Sequence, residues 1–492
     1  MLPPSVLAHL NRTLDVPLHL QVYEGLREAI LQGTLKPSHR LPSTRAMAQH
    51  LGVSRNTVLL AFEQLLLEGY LESRVGDGTY VTHTLPDTSL QKPEVKPEQQ
   101  GRQPALSRRA QKLLQVQVTQ YLSQPEYRAF RSGMPALKDF PFEEWRKLHA
   151  RHWKTPPVQL LAYGDPRGYL PLREAISEYL NASRGVRCTP DQVLITSGSQ
   201  QGLELAARLL LDDGDSLWME DPGYLGARAA FQASGLNVCP IPIDQEGMQV
   251  QHGAEHHPHA RMVYVTPSHQ YPLGITLSLT RRLELLKWAR QSGAWILEDD
   301  YNSEYRYEGR PLNALQGLDQ DGRVIYIGTF SKVLLPAVRL GYLVLPESLI
   351  DLFIHARSLV DRMPPGVSQA VLAEFMENGG FERHIRRMRG LYAERQAFFI
   401  ELAQKHFPEW LQVQPSPAGM HLVSHLAEPF SDVQLVEEAS RAGVTVRALS
   451  PSYLHSPEQG LLFGYAGYPE DETILAARDL GRAFSRIRIS DP

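Results

Sequence analysis

Between Tyr80 and Tyr121 the chain has no aromatic residue, and Pro86, Pro93, Pro97 and Pro104 interrupt a run rich in Gln, Lys, Glu, Asp and Ser. Such a stretch has too little apolar surface to offset the entropy of ordering, and its prolines keep it extended, so it reads as a tether. It forbids one continuous fold. We expect an N-terminal unit at residues 14–83, a linker at 84–115 and a large unit at 116–485. The chain has 492 residues, 42% hydrophobic and 21% charged, which leaves both flanking units enough apolar material for a core of their own.

In the N-terminal unit, Leu18, Val22, Leu26 and Ile30 recur every four residues, the spacing of one buried helical stripe, and Gly33 follows as a stop. Ser43 can cap a short helix carrying Met47, Ala48 and Leu51 that ends at Gly52. Ser54 then opens a helix with Val58, Phe62, Leu65 and Leu66 on one face. Two helices joined by a tight glycine turn form a helix-turn-helix, whose second helix can enter the DNA major groove with its first residues, here Arg55, Asn56 and Thr57, at the base edges. Two short strands around Gly76-Asp77-Gly78 would add a wing. Helical hairpins with a serine cap also occur in bundles that bind no nucleic acid, so spacing alone leaves both readings open.

The residue string decides between them. Leu41-Pro42-Ser43-Thr44-Arg45, Gly52-Val53-Ser54-Arg55-Asn56-Thr57-Val58, Glu68-Gly69-Tyr70-Leu71 and Gly76-Asp77-Gly78-Thr79 closely resemble the winged-helix domain of GntR-type bacterial regulators. The resemblance implies promoter DNA as a partner, contacted by Arg45 and Arg55, with Arg40 and Arg74 as weaker candidates. Arginine suits this work because its planar fork bonds guanine edges bidentately or clamps phosphate.

Three signals stand out in the large unit, which we expect to be α/β with a mainly parallel sheet and a smaller C-terminal α+β lobe. Asp191–Ile195 reads as a strand leading through Thr196-Ser197-Gly198-Ser199 into a helix, a place where backbone N–H groups and the helix dipole can cradle phosphate. Ala294–Leu297 reads as an apolar strand ending in Glu298-Asp299-Asp300-Tyr301, at the edge where open α/β sheets bind ligands. Val324–Lys332 ends a buried strand in Thr329, Ser331 and Lys332, with Arg339 close behind. Taken singly, the first is a common turn, the second could be a metal site or a solvated loop, and only the third is unusual.

Together they supply what pyridoxal 5′-phosphate requires: an amine for a Schiff base, a carboxylate for the ring nitrogen, and hydroxyls with an arginine for the phosphate. Lys332 takes the first role and Asp299 the second. Tyr301 suits the ring oxygen, and Ser197, Gly198, Ser199, Thr329, Ser331 and Arg339 suit the phosphate.

Tyr163-Gly164-Asp165-Pro166, Asp221-Pro222-Gly223-Tyr224, Glu298–Tyr301 and Gly328–Lys332 look like the fold-type I, class I/II aminotransferase domain. With a GntR-like domain in front, the whole chain resembles the MocR/GabR subfamily of transcriptional regulators. That resemblance implies a homodimer in which each DNA-binding domain reaches over the other copy's aminotransferase-like domain, and a Tyr224 ring stacked on the cofactor.

Two departures matter. Ordinary aminotransferases have an Asn-Pro-Thr-Gly loop, whereas this chain has Ser268-His269-Gln270-Tyr271-Pro272-Leu273-Gly274, a change the subfamily shares. Members sensing γ-aminobutyrate carry an arginine two residues beyond the stacking tyrosine, and Gly226 in that position counts against this effector. For an effector with a carboxylate or sulfonate, Arg447 is the candidate, the alternative being a solvated strand-end arginine.

The leading expectation is a cytoplasmic regulator that binds promoter DNA and senses pyridoxal phosphate or an amino compound joined to it. The runner-up is a working aminotransferase with an appended DNA-binding domain, and a third reading makes the large unit a dimerisation scaffold alone. Lys and Arg number 50 against 54 acids, a net charge of −4, so nothing in the whole chain demands a polyanion. Cys188 and Cys239 are too few for a disulfide framework or a cysteine-rich zinc site, and no metal is expected. No apolar run approaches the ~18 residues of a membrane span, and no export signal opens the chain.

Overall fold

The computed structural model describes residues 10–12, 15–74, 76–83, 105–116, 128–309, 312–408, 411–426 and 430–486. The chain divides into two compact units, residues 1–105 and 106–492.

In the first unit, α1 (Leu18–Leu31), α2 (Thr44–Leu51) and α3 (Arg55–Leu67) are followed by β1 (Leu71–Arg74) and β2 (Gly78–Val81). Val22, Leu26 and Ile30 are buried as their spacing requires, against Met47, Leu51, Val58, Phe62 and Leu65. Both caps form: the Ser43 hydroxyl accepts the Ala46 N–H at 3.3 Å and the Ser54 hydroxyl accepts the Thr57 N–H at 3.1 Å, each satisfying a donor the helix leaves open. Strands β1 and β2 pair antiparallel from Leu71–Val81 to Arg74–Gly78, which makes the wing.

The expected linker is corrected at one end. Residues 84–104 lie outside the described residues, but Arg108–Gln115 form a helix, α4, in the second unit. Its signal is local, Ser107 accepting the Ala110 N–H at 3.2 Å. Its leucines Leu113 and Leu114 stay exposed, so no buried stripe betrays it, and it is tethered by Lys112 to Asp213 at 2.8 Å.

The large unit is built on an eight-stranded sheet of β3 (Val193–Thr196), β4 (Ser216–Asp221), β5 (Asn237–Asp244), β6 (Gly247–Met248), β7 (Met262–Val265), β8 (Trp295–Asp300), β9 (Val324–Thr329) and β10 (Gly341–Val344). The spatial order is β3-β10-β9-β8-β7-β4-β5-β6, with β9, β8, β7, β4 and β5 parallel and β10 antiparallel to both neighbours. Strand β3 starts two residues later than expected, because Pro190–Gln192 close a single 3-10 turn. Alternation sorts the two faces: Ile325 and Ile327 of β9 pack with Leu203, Phe231 and Phe353, while Tyr326 packs with Leu172 and Ile176 on the other side. Both faces are covered, which is why the central strands read as continuous apolar runs.

A second sheet, β11 (Leu411–Val413), β12 (His421–Leu426), β13 (Arg447–Ala448) and β14 (Gly460–Gly464), is antiparallel in the order β11-β12-β14-β13 and forms the smaller C-terminal lobe. The segment Ala129–Phe130 joins it, the Thr445 N–H donating to the Ala129 carbonyl and the Gly464 N–H to that of Phe130. This pairing brings residues 131–133 beside the end of β9, far from them in sequence. Among the described residues, no helix is long and apolar enough to cross a membrane.

Candidate functional site

Three consecutive acids close β8, and the fold gives each a different environment. Glu298 accepts the backbone N–H groups of Leu315 and Gln316, both at 2.8 Å. Asp300 accepts from Arg184 Nε at 2.9 Å and from the Tyr326 hydroxyl at 2.6 Å. Asp299 accepts the Tyr264 hydroxyl at 2.8 Å through Oδ2 alone, and its Oδ1 is buried with no hydrogen-bond partner among the described residues. Burial, reinforced by the neighbouring Asp300 charge, pushes the Asp299 carboxyl up to about 7 despite the Tyr264 bond. All three are buried, so the segment is no solvated loop, and Asp299 retains an open acceptor.

Lys332 stands at the end of β9, on the single helical turn Phe330–Val333 that Thr329 caps by accepting the Ser331 N–H at 3.2 Å. Its amine donates to the Gly133 carbonyl at 2.9 Å. Burial, with the positive charges of Arg447 and Arg131, lowers its pKa to about 8, against a smaller opposing pull from Asp299. A lysine held near neutrality in this way is poised to act as a nucleophile.

The phosphate candidates converge at the start of helix α5 (Ser199–Leu210). Gly198 precedes the helix with φ +105°, a conformation that only glycine adopts without strain. The Arg339 guanidinium lies 3.5 Å from where a Cβ on Gly198 would sit, so cation and helix N-terminus face one cradle. The Ser197 N–H is taken by the Gln201 side chain at 2.8 Å, which leaves the Ser197 and Ser199 side chains, partly exposed, at the mouth.

Aromatic rings line another side. Tyr224 stands 5.5 Å from Tyr271, which stands 6.1 Å from Tyr301, and the buried Tyr301 hydroxyl has no partner within hydrogen-bond geometry among the described residues. Burial, then the Asp299 charge, raises the Tyr224 phenol to about 12, so it stays protonated. At Gly226 a Cβ would lie 2.5 Å from the Tyr224 hydroxyl. The ring occupies the space any side chain at 226 would need.

Arg447 is half-buried on β13, and its charge bears on Lys332, Tyr224 and the buried His421, so it is not the solvated strand end. Sequence reasoning missed Arg131, Tyr264, Tyr271 and His421. Only Tyr271 carried a signal, by lying in the segment that departs from the aminotransferase loop. The other three reach the site through strand pairing that no local pattern reports.

The open Asp299 oxygen, the unpartnered Tyr301 hydroxyl, the low-pKa amine and the Gly198–Arg339 cradle fit pyridoxal phosphate in charge and in hydrogen-bonding capacity. The group supplies a carbonyl for amines and an electron-withdrawing ring. Asp299 would meet the ring nitrogen, Tyr301 the ring oxygen and Lys332 the carbonyl carbon.

On the N-terminal unit, Arg45 and Arg55 are exposed near the starts of α2 and α3, Arg55 lying 3.4 Å from the Thr44 hydroxyl. Asn56 is exposed beside them, and the Thr57 hydroxyl lies 2.8 Å from that of Ser54. Arg74 pairs with Glu72 at 2.7 Å and lies 4.5 Å over the Tyr80 ring, and Arg40 is bound to Asp77. These two are engaged with the wing itself.

Fold and site together define a class: a winged helix-turn-helix joined to an aminotransferase-type domain that carries a pyridoxal phosphate site. Residues 18–81 match the family of bacterial regulatory proteins, gntR family, and residues 131–472 match aminotransferase class I and II. The probable rhizopine catabolism regulatory protein MocR of Rhizobium meliloti is 44% identical, covering 98% of this chain and 96% of that one. The pyridoxine biosynthesis transcriptional regulator PdxR of Corynebacterium glutamicum is 32% identical, covering 97% and 98%. Among solved structures, the α-aminoadipate aminotransferase LysN of Thermus thermophilus, complexed with N-(5′-phosphopyridoxyl)-L-leucine, superposes with a TM-score of 0.70 at 28% identity, covering 77% of this chain and 97% of that one. The chain belongs to the MocR/GabR subfamily of GntR-type transcriptional regulators.

Proposed function

We propose that this regulator binds promoter DNA as a homodimer, and that pyridoxal phosphate, alone or joined to an amino compound at Lys332, changes its affinity for that DNA. The observation that carries the reading is the coexistence in one chain of exposed arginines at the starts of α2 and α3 and a half-buried, low-pKa lysine that feels the charge of Asp299, a carboxylate with one open oxygen. A catalyst alone has no use for the first, and a DNA-binding protein alone has no use for the second.

The amino compound carries an acidic group. Arg447 and Arg131 place two positive charges near the Lys332 amine, whereas Asp299, the carboxylate whose charge bears on that amine, is the one suited to the ring nitrogen. The absence of a side chain at Gly226 supports an effector other than γ-aminobutyrate. The name of PdxR, a regulator of pyridoxine biosynthesis, supports pyridoxal phosphate itself as one signal. A cleft lined by Val158, Leu160, Tyr163, Leu170 and Met363, with Val158 and Tyr163 largely exposed, supports the homodimer.

The test is the affinity of the full chain for DNA upstream of its own gene and of the neighbouring divergent gene, at one fixed salt concentration, with and without pyridoxal phosphate. Salt must be fixed because phosphate contacts make affinity fall steeply with ionic strength. A tenfold shift corresponds to about 1.4 kcal/mol of differential binding between two states. Specific binding that shifts on adding the cofactor, or an amino compound with it, supports the reading. No specific DNA binding, together with steady formation of keto product over many turnovers, would move the protein to the aminotransferases.

A further inference from the structure

The first unit begins earlier than its sequence pattern suggests. Leu10 packs against the core of the winged helix, ahead of the expected boundary at residue 14. The buried Gln21 side chain of α1 fixes this arm: it accepts the Asn11 N–H at 2.8 Å and donates to the carbonyls of Asn11 at 3.1 Å and Val16 at 2.7 Å. One side chain thus satisfies three backbone groups and sets Arg12 against the turn between α2 and α3. There the Arg12 guanidinium donates to the Gly52 carbonyl at 2.6 Å.

That bond by itself is a helix cap, since Gly52 closes α2 with φ +63° and a cation suits the carbonyl end of a helix. A cap needs one N–H, and a guanidinium has five. Arg12 is exposed and makes no other hydrogen bond and no ion pair among the described residues. Arg40 and Arg74, in contrast, are paired with the wing acids Asp77 and Glu72. Their charge is offset, and that of Arg12 is not. It stands at a cleft of about 480 Å³ that Arg12, Val16 and Gly52 line together with Ser54 and Thr57. Ser54 caps α3, and Thr57 is one of the residues expected at the base edges. The cleft therefore joins the arm to the end of α3 that enters the groove, and the phosphates of the strand flanking that groove pass beside it.

We propose that Arg12 is a DNA-contacting residue that clamps a backbone phosphate beside the start of α3. One N–H on the Gly52 carbonyl fixes the guanidinium, and the rest of the fork meets the phosphate oxygens. This rests on the reading of the first unit as a DNA binder. A phosphate contact fixes register and carries no sequence information, so Arg12 strengthens binding to any duplex.

The experiment measures the affinity of full-length wild type, Arg12→Gln and Arg12→Lys from about 0.05 to 0.2 M salt. The probes are DNA upstream of the protein's own gene and an unrelated duplex of equal length, with the melting temperature reporting the fold. Glutamine keeps a donor for Gly52 without the charge, and lysine keeps the charge without the fork. Arg12→Gln is expected to flatten the plot of log affinity against log salt by about 0.9 for each winged helix engaged, about eightfold in affinity per tenfold in salt. The change is expected on both duplexes, at an unchanged melting temperature, and Arg12→Lys is expected to keep the wild-type slope. If Arg12→Gln retains the wild-type slope and affinity, Arg12 only caps α2 and the proposal fails, with the DNA reading intact. A slope as shallow in Arg12→Lys as in Arg12→Gln, or a loss confined to the upstream DNA, overturns the phosphate contact as well. A wild type that binds neither duplex overturns the DNA reading and this proposal together.

Discussion

Burial draws Lys332 and Asp299 towards neutrality from opposite sides, the amine down to about 8 and the carboxyl up to about 7. At pH 7 about one Lys332 amine in ten is then neutral, against about one in several thousand for an ordinary lysine. The rate at which free pyridoxal phosphate is captured should therefore rise about tenfold per pH unit below about 8 and level off above it. Stopped-flow absorbance across pH 6–9 measures this, and a rate still climbing at pH 9 would show that the amine is not depressed. Arg55 is the corresponding residue on the DNA side. Arg55→Ala should cost about 1–3 kcal/mol of specific binding if its fork reads a base, and unchanged affinity would remove it from the interface. Lys332, Asp299 and Tyr301 could be picked out as candidates because each stands at or just beyond the end of a buried strand in its own sequence run. Tyr264, which holds Asp299, and Arg131, which charges the surroundings of Lys332, were not: their roles exist only once β7 lies beside β8 and residues 129–130 join the small sheet.

At the scale of elements, the turns that matter are local and were readable. Ser43, Gly52 and Ser54 mark the helix-turn-helix because a cap and a left-handed glycine act within four residues of themselves. Gly198 does the same at the phosphate cradle. Gly198→Ala puts a Cβ only in ordinary contact with Arg339, at 3.5 Å, so its cost comes from the backbone, about 1–3 kcal/mol at φ +105°. Its effect should appear as a lower melting temperature and weaker pyridoxal phosphate binding, and a variant with wild-type values in both would mean that the backbone here does not shape the cradle. Helix α4 escaped because its stability comes from a cap and one ion pair, with no apolar stripe to read. The split between Thr44, bonded to Arg55, and the arginines tied to the wing was equally invisible, since it depends on how hairpin and helices meet.

The whole molecule joins a DNA reader to a domain whose fold serves chemistry elsewhere. The proline-punctuated stretch made the division into two units readable, but coupling between them is a property of two states and cannot be encoded in either unit alone. A ligand at Lys332 alters DNA binding only if it favours one state over the other. Lys332→Ala isolates that step, because it removes the covalent anchor while leaving the winged helix untouched. The most direct measurement is the DNA affinity of wild type and Lys332→Ala at one salt concentration, each with and without pyridoxal phosphate and an acidic amino compound. The account predicts that both proteins bind specifically, that wild type shifts about tenfold or more on adding ligand, and that Lys332→Ala, which acquires no visible absorbance, shifts little. An equal shift in both proteins, or none in either, would contradict it.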